Sequence, residues 1–311
     1  MYKRLFTAVQ SRRFRLALSA TALVVLVVVF YRSRDFLTDA VFSSSMHFTP
    51  AFLLIFPLTA VNLYCEVKKW HALLGTRDLS LRRGYMQVLA GICSGFVTPN
   101  RIGEFAGRLA FLPEKLKAKG PAATFTGSFL QGTATVLFGV LGLIFFPFFP
   151  ERFTDPKGLY AAGIIFVLIV TAVFFINSSS DAKFTRFKAA LRYFKALRRA
   201  DLVKASGWAV LRYLCFSTQF VISLYCFGFG GTLFEAYTGV FLLYFCQSFI
   251  PGAALGELGI REVLAMVIFG AFLEHPLQAV FAGLTVWLAN IGIPVLAGVS
   301  ITGFSLRHDH R

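Results

Sequence analysis

Acid is what this sequence has least of: Asp and Glu number 15 against 31 Lys and Arg, and charged residues make up only 15% of the 311-residue chain. A soluble domain carries roughly a quarter charged residues, so a surface that faces water all round is excluded. Cysteine is scarce as well. Cys65, Cys93, Cys215, Cys226 and Cys246 are odd in number, fall in or at the ends of apolar runs and lack metal-ligand spacing, which argues against a disulfide framework and a zinc site. The five histidines sit near loop charges or outer ends and suggest neither a metal nor a catalytic dyad. No G-x-x-x-x-G-K-[ST], H-E-x-x-H or G-x-S-x-G occurs, so phosphate-loop, zinc-protease and serine-hydrolase chemistry have no foothold. No cofactor is implied.

What fills the chain instead is apolar: hydrophobic residues are 57%, Phe alone numbers 37, and the mean hydropathy is +0.69. These values define an all-α polytopic membrane protein. The net charge of +16 is spread over short loops between apolar runs with no nucleic-acid module, so no nucleic acid partner is expected.

Two stretches break the apolar pattern in the same way. Ser94 to Arg108 reads S-G-F-V-T-P-N-R-I-G-E-F-A-G-R, and from Phe249 the chain reads F-I-P-G-A-A-L-G-E-L-G-I-R-E. Each has a proline, a short gap, Gly-Glu, and an arginine four residues after the glutamate. Helix breakers and charges are costly within a membrane unless protein or water satisfies them. Pro99, Gly103, Pro251, Gly252 and Gly256 are read as shaping the breaks. Glu104 with Arg108, and Glu257 with Arg261, are i,i+4 pairs that fall on one face of a helix starting just after each break.

Spans and flanking charges give a topology. Full spans are expected at 16–31, 48–67, 122–148, 159–176, 207–227 and 277–304, and Lys68-Lys69-Trp70 reads as a cytoplasmic anchor. The segments 84–112 and 234–273 contain the breaks, and their halves are too short to cross, so each is read as a re-entrant hairpin. With both termini inside, 23 of the 31 Lys/Arg fall on the cytoplasmic side and Arg101, Arg108, Arg212 and Arg261 within the membrane. Residues 1–150 and 151–311 then form two inverted repeats of one membrane domain, an architecture of transporters in which half-helix N-termini meet an anionic group near the midplane. The basic loop 177–205, with Phe184, Phe187, Leu191, Phe194 and Leu197 at helical spacing, is read as a helix on the inner leaflet or a solvated linker.

The run from Thr98 to Arg108, Trp70 with its basic neighbour, and Gly259-Ile260-Arg261-Glu262 resemble the membrane domain of the lysylphosphatidylglycerol synthase/flippase family in its stand-alone form. The resemblance covers nearly the whole chain, but only the two motifs are specific. It implies a flippase fold that moves an aminoacylated phospholipid between leaflets, in the bacterial plasma membrane. The longest polar segment, 177–205, leaves no room for the aminoacyl-transferase domain of bifunctional members, so synthase activity is not expected. Two departures touch the substrate. Gln131-Gly132 stands where the family has a Glu-Arg pair, and the glycine-rich second motif holds Glu257.

The chemistry of the motifs suits a phosphate-bearing amphiphile. Arg101, Arg108 and Arg261 offer guanidinium forks for phosphate oxygens. Glu104, Glu257 and Glu262 meet a cationic head group, carry a proton or neutralise the arginines; alternatively the pairs only brace the two hairpins. Arg212 is read as snorkelling to the inner interface. Asn62, Glu66, Gln131, Gln219, Gln247 and Asn290 line a polar route or join helix to helix. The Phe-rich character is read as mostly lipid-facing surface. Three functions are compatible with these residues: transport of an anionic or aminoacylated phospholipid or polyprenyl phosphate, transport of a small anion, or lipid modification, including service to a lipid-modifying enzyme partner.

Overall fold

The computed structural model of the chain describes residues 50–76, 79–96, 98, 101–145, 192–248, 256–274 and 277–308, with the backbone alone for 256–260, 263 and 301–308. Among these residues the structure is helical and contains no strand. The spans expected at 16–31 and 159–176, together with Pro99, Pro251 and Gly252, lie outside the described residues.

The first long helix, α1 (Ile55–Leu74), follows a 3-10 turn at Pro50–Leu54. Pro57 is tolerated because it falls in the first turn, where its missing N–H has no intrahelical partner to lose. The helix stops at Gly75, whose left-handed φ of 64° lets its N–H return to the Ala72 carbonyl at 3.1 Å. Two short helices follow, α2 (Leu81–Phe96) and α3 (Gly103–Ala110), then a single turn at Glu114–Lys117 and the long α4 (Gly120–Phe145). The second half repeats this order. α5 (Arg199–Cys226) is long, α6 (Leu233–Ser248) and α7 (Gly256–Phe269) are short, and α8 (Leu277–Trp287) runs through a π turn (Leu288–Gly292) into α9 (Ile293–His308). The π turn precedes Pro294, which has no N–H to offer the carbonyl of residue 290. A capping box opens α6: Glu235 N–H donates to Thr232 Oγ1 at 3.2 Å and Thr232 N–H to Glu235 Oε2 at 2.6 Å.

Four described helices are long and apolar enough to cross a membrane: Pro50–Leu74, Gly120–Phe145, Arg199–Cys226 and Leu277–Ser300. They coincide with four of the six expected spans, although α1 runs seven residues beyond Val67. That extension matters. Lys69 and Trp70 lie within the helix and are buried, so they do not form the expected interfacial anchor.

Two apolar cores share α5. One is built around Trp70, Leu73, Val88, Ile92 and Ala123. The other gathers Phe220, Phe229, Phe269 and Phe272 around Leu224 and Val240. These four phenylalanines depart from a lipid-facing role, because their rings pack against one another between the helices of the second half. Phe56, Phe129, Phe145 and Phe234 do face outward. The described end of the basic loop docks on the first core through Tyr193, Phe194 and Leu197, and the Tyr193 hydroxyl donates to the Leu73 carbonyl at 2.5 Å. Phe184, Phe187 and Leu191 lie outside the described residues.

Candidate functional site

Small residues bring α2 and α3 together as an antiparallel hairpin. A Cβ on Gly103 would lie 2.1 Å from the Ser94 carbonyl oxygen and one on Gly107 2.3 Å from that of Ala90, so only glycine permits this approach. The connection is pinned by Thr98, whose Oγ1 accepts from the Gly103 N–H at 2.7 Å and donates to the Ser94 carbonyl at 3.0 Å. Arg101, at φ 54°, takes the left-handed conformation that residues with a Cβ rarely adopt. Its side chain sits beside the connection, 36% exposed, with Nε 3.7 Å from Glu104 Oε2.

One arm of this hairpin carries Arg108 into a buried ionic network. Arg108 Nη2 donates to Glu104 Oε1 at 2.5 Å, the i,i+4 pair expected from the sequence, and to Glu66 Oε1 of α1 at 2.7 Å. Glu66 Oε2 meets Lys69 Nζ at 2.7 Å and Arg212 Nη1 of α5 at 3.2 Å. Gln131 of α4 closes the group: its Oε1 accepts from Arg212 at 3.2 Å and Lys69 at 3.5 Å, and its Nε2 donates to the Ala209 carbonyl at 3.3 Å. The Arg108 guanidinium also lies 4.9 Å from the centre of the Trp70 ring, a cation–π contact. Trp70 is oriented in turn by Gln87, which accepts from its Nε1 at 2.7 Å and donates to the Phe111 carbonyl at 3.0 Å.

Glu66, Lys69 and Arg108 are respectively 4%, 2% and 4% exposed, so water does little to screen them. Lys69, Arg108 and Arg212 are three cations against the two carboxylates of Glu66 and Glu104. The network keeps a surplus of one positive charge, and Arg101 beside it adds another. Such a group attracts an anion.

Next to it along α1 runs a neutral ladder. Asn62 donates to Asn290 Oδ1; Asn290 donates to Gln219 Oε1 at 2.7 Å; Gln219 donates to Thr59 Oγ1 at 2.8 Å and to the Ile55 carbonyl at 2.9 Å. These amides join α1, α5 and the π turn, while Glu66 joins α1 to α3 and α5 and Gln131 joins α4 to α1 and α5, so most of the intramembrane polar residues bond helix to helix. Arg212 likewise points inward to Glu66 and Gln131, because a buried carboxylate one helix away offers more than the interface does.

The second hairpin, α6 and α7, is also antiparallel, with Gly239 against Ile268 and Phe269. Arg261 pairs with its neighbour Glu262 at 2.5 Å. Gly256 opens α7, and the side chain of Glu257 lies outside the described residues. The structure therefore gathers Arg101, Glu104 and Arg108 in one place and Arg261 with Glu262 in another; among the described residues no hydrogen bond or ion pair joins the two groups. Glu66, Lys69 and Arg212 complete the first group although the sequence did not assign them to it. Their signal was spacing: Thr59, Asn62, Glu66 and Lys69 recur on one face of α1, and Arg212 and Gln219 on one face of α5.

Membrane-length helices among the described residues, with charges buried between them, define an integral membrane protein. The chain belongs to the family of the lysylphosphatidylglycerol synthase transmembrane region, whose model matches residues 14–298. Membership ties it to the handling of membrane lipids. No curated protein and no solved structure matches the chain.

Proposed function

We propose that this protein is a flippase-like transporter that moves an anionic or aminoacylated phospholipid between leaflets, not an enzyme that modifies it. The observation that carries this reading is the buried surplus of positive charge at the first hairpin, with the partly exposed Arg101 beside it. A headgroup phosphate supplies the missing negative charge, while its acyl chains stay in the bilayer. Arg101 makes the first contact, and Arg108, braced by Glu66 and Glu104, holds the potential positive. Arg261 is the counterpart from the second half.

In this reading the hairpins α2–α3 and α6–α7 are re-entrant. At 1.5 Å rise per residue the eight residues of α3 extend about 12 Å, well short of a hydrocarbon core of about 30 Å. The repeated order of long helix, short pair and long helix fits an inverted repeat with both termini in the cytoplasm of a bacterium. A lipid-modifying enzyme in the same membrane supplies the substrate.

The test is exchange of fluorescent phosphatidylglycerol in proteoliposomes, with a zwitterionic lipid as comparison. Transfer that favours the anionic lipid and depends on Arg101 is the expected result. Equal rates with protein-free vesicles refute lipid transport, and chemical change of the lipid refutes the transporter reading.

A further inference from the structure

The ion pair of the second hairpin uses only half of its carboxylate. Glu262 Oε1 accepts from Arg261 Nε at 3.2 Å and Nη2 at 2.5 Å, whereas Oε2 is buried with no hydrogen-bond partner among the described residues. Arg261 and Glu262 are 5% and 7% exposed, so bulk water does not take the place of a partner. α8 closes the site with backbone: a Cβ on Gly283 would lie 3.1 Å from Glu262 Oε1 and 3.5 Å from Arg261 Nε.

Among the described residues, other titratable groups near Glu262 are few. α6 contributes Tyr244, within electrostatic reach of both members of the pair. α8 has no titratable residue from Leu277 to Trp287, and the turn Gly270–Phe272 has none. On α7 the other acid is Glu257, whose side chain lies outside the described residues. Among the described residues Arg261 is thus the cation paired with Glu262. Should the guanidinium turn to another anion, a lone buried carboxylate remains, and such a group avoids a cost of several kcal/mol by taking a proton. The first hairpin is different. If Arg108 leaves, Glu66 keeps Lys69 and Arg212, and Glu104 keeps Arg101.

We propose that Glu262 is a proton-binding site coupled to anion binding: when Arg261 turns to the phosphate of a lipid headgroup, Glu262 Oε2 takes one proton from water. The O–H bond forms as the Arg261–Glu262 pair parts, and the proton returns to water when the pair re-forms. One proton accompanies one monoanionic lipid, so the Arg261–Glu262 pair together with the bound phosphate keeps the net charge that the pair has alone. This inference rests on the reading of Arg261 as part of the anion site.

The full chain in phosphatidylcholine proteoliposomes with a trace of fluorescent phosphatidylglycerol tests it. The transfer rate is expected to rise about tenfold per unit fall in pH over the window where only the lipid-bound form is protonated, as linkage of one proton requires. Glu262→Gln is expected to flatten that profile. A second measurement needs no variant: adding phosphatidylglycerol vesicles to a weakly buffered suspension of the wild-type protein should remove one proton per lipid bound, read with a pH dye. PH-independent transfer by the wild type without proton uptake overturns the proposal, as does an unchanged slope in a folded Glu262→Gln variant. The same uptake with glycerol 3-phosphate alone assigns the anion to a soluble phosphate and overturns the headgroup. Wild-type transfer by Arg261→Gln removes the anion-site reading and this inference with it.

Discussion

The two hairpins share a sequence recipe and differ in what surrounds it. Each has a short helix opened by Gly-Glu and an arginine five residues after the glycine, and both arginines are buried. Arg108 is held by carboxylates from two helices inside a network drawn from α1, α3, α4 and α5. Arg261 is held by the next residue in the chain, with Gly283 of α8 against it and Tyr244 of α6 within electrostatic reach. A motif therefore sets where a charge enters the membrane, and the span packed against it sets the company it keeps. α1 brings a polar stripe to the first hairpin. Phenylalanines line much of the second.

The sharpest way to break this comparison is to remove the carboxylate that has three cationic partners. Glu66→Gln raises the surplus positive charge in a buried site, and a loss of about 3–5 kcal/mol is expected, the range for breaking a buried pair. Unfolding in detergent measures it, and a loss below about 1 kcal/mol would show that the network is wet. Gly103→Ala comes next. Its new methyl group would meet backbone at 2.1 Å, so the arms must part, at a cost of about 1–3 kcal/mol. Gly132→Ala on α4, with nothing within 4 Å, is the matched control and should cost nothing. Smaller still is the coupling between Glu104 and Arg108. Replacing both by Gln should be less damaging than the sum of the single changes by about 1–2 kcal/mol, short of full rescue because Arg108 also braces Glu66.

The positions of the membrane-length helices were largely legible in the sequence, because runs of apolar residues bounded by charge specify membrane helices. The break between α2 and α3 and the Glu104–Arg108 pair follow from spacing within one segment. Glu66, Lys69 and Arg212 are another matter. Each sits near the end of an apolar run, where a charge ordinarily reaches the interface, and only the packing of α1 on α5 turns all three inward. Trp70 was misjudged for the same reason: its partners Gln87 and Arg108 come from the hairpin, 17 and 38 positions further along the numbering. Phenylalanine count alone does not separate lipid-facing from core positions, since both environments are apolar.

The central claim is that the open arginine of the first hairpin meets the lipid while the buried ones hold the site. Arg101→Gln tests it most directly, because this side chain is 36% exposed and its ion pair is long, so stability should change by no more than about 0.5 kcal/mol. Fluorescent phosphatidylglycerol exchange in proteoliposomes should nevertheless fall about tenfold or more, the worth of a charge-assisted hydrogen bond, and Arg101→Lys should recover part of it. Wild-type exchange in a well-folded Arg101→Gln variant would contradict the account and leave the first hairpin as scaffold.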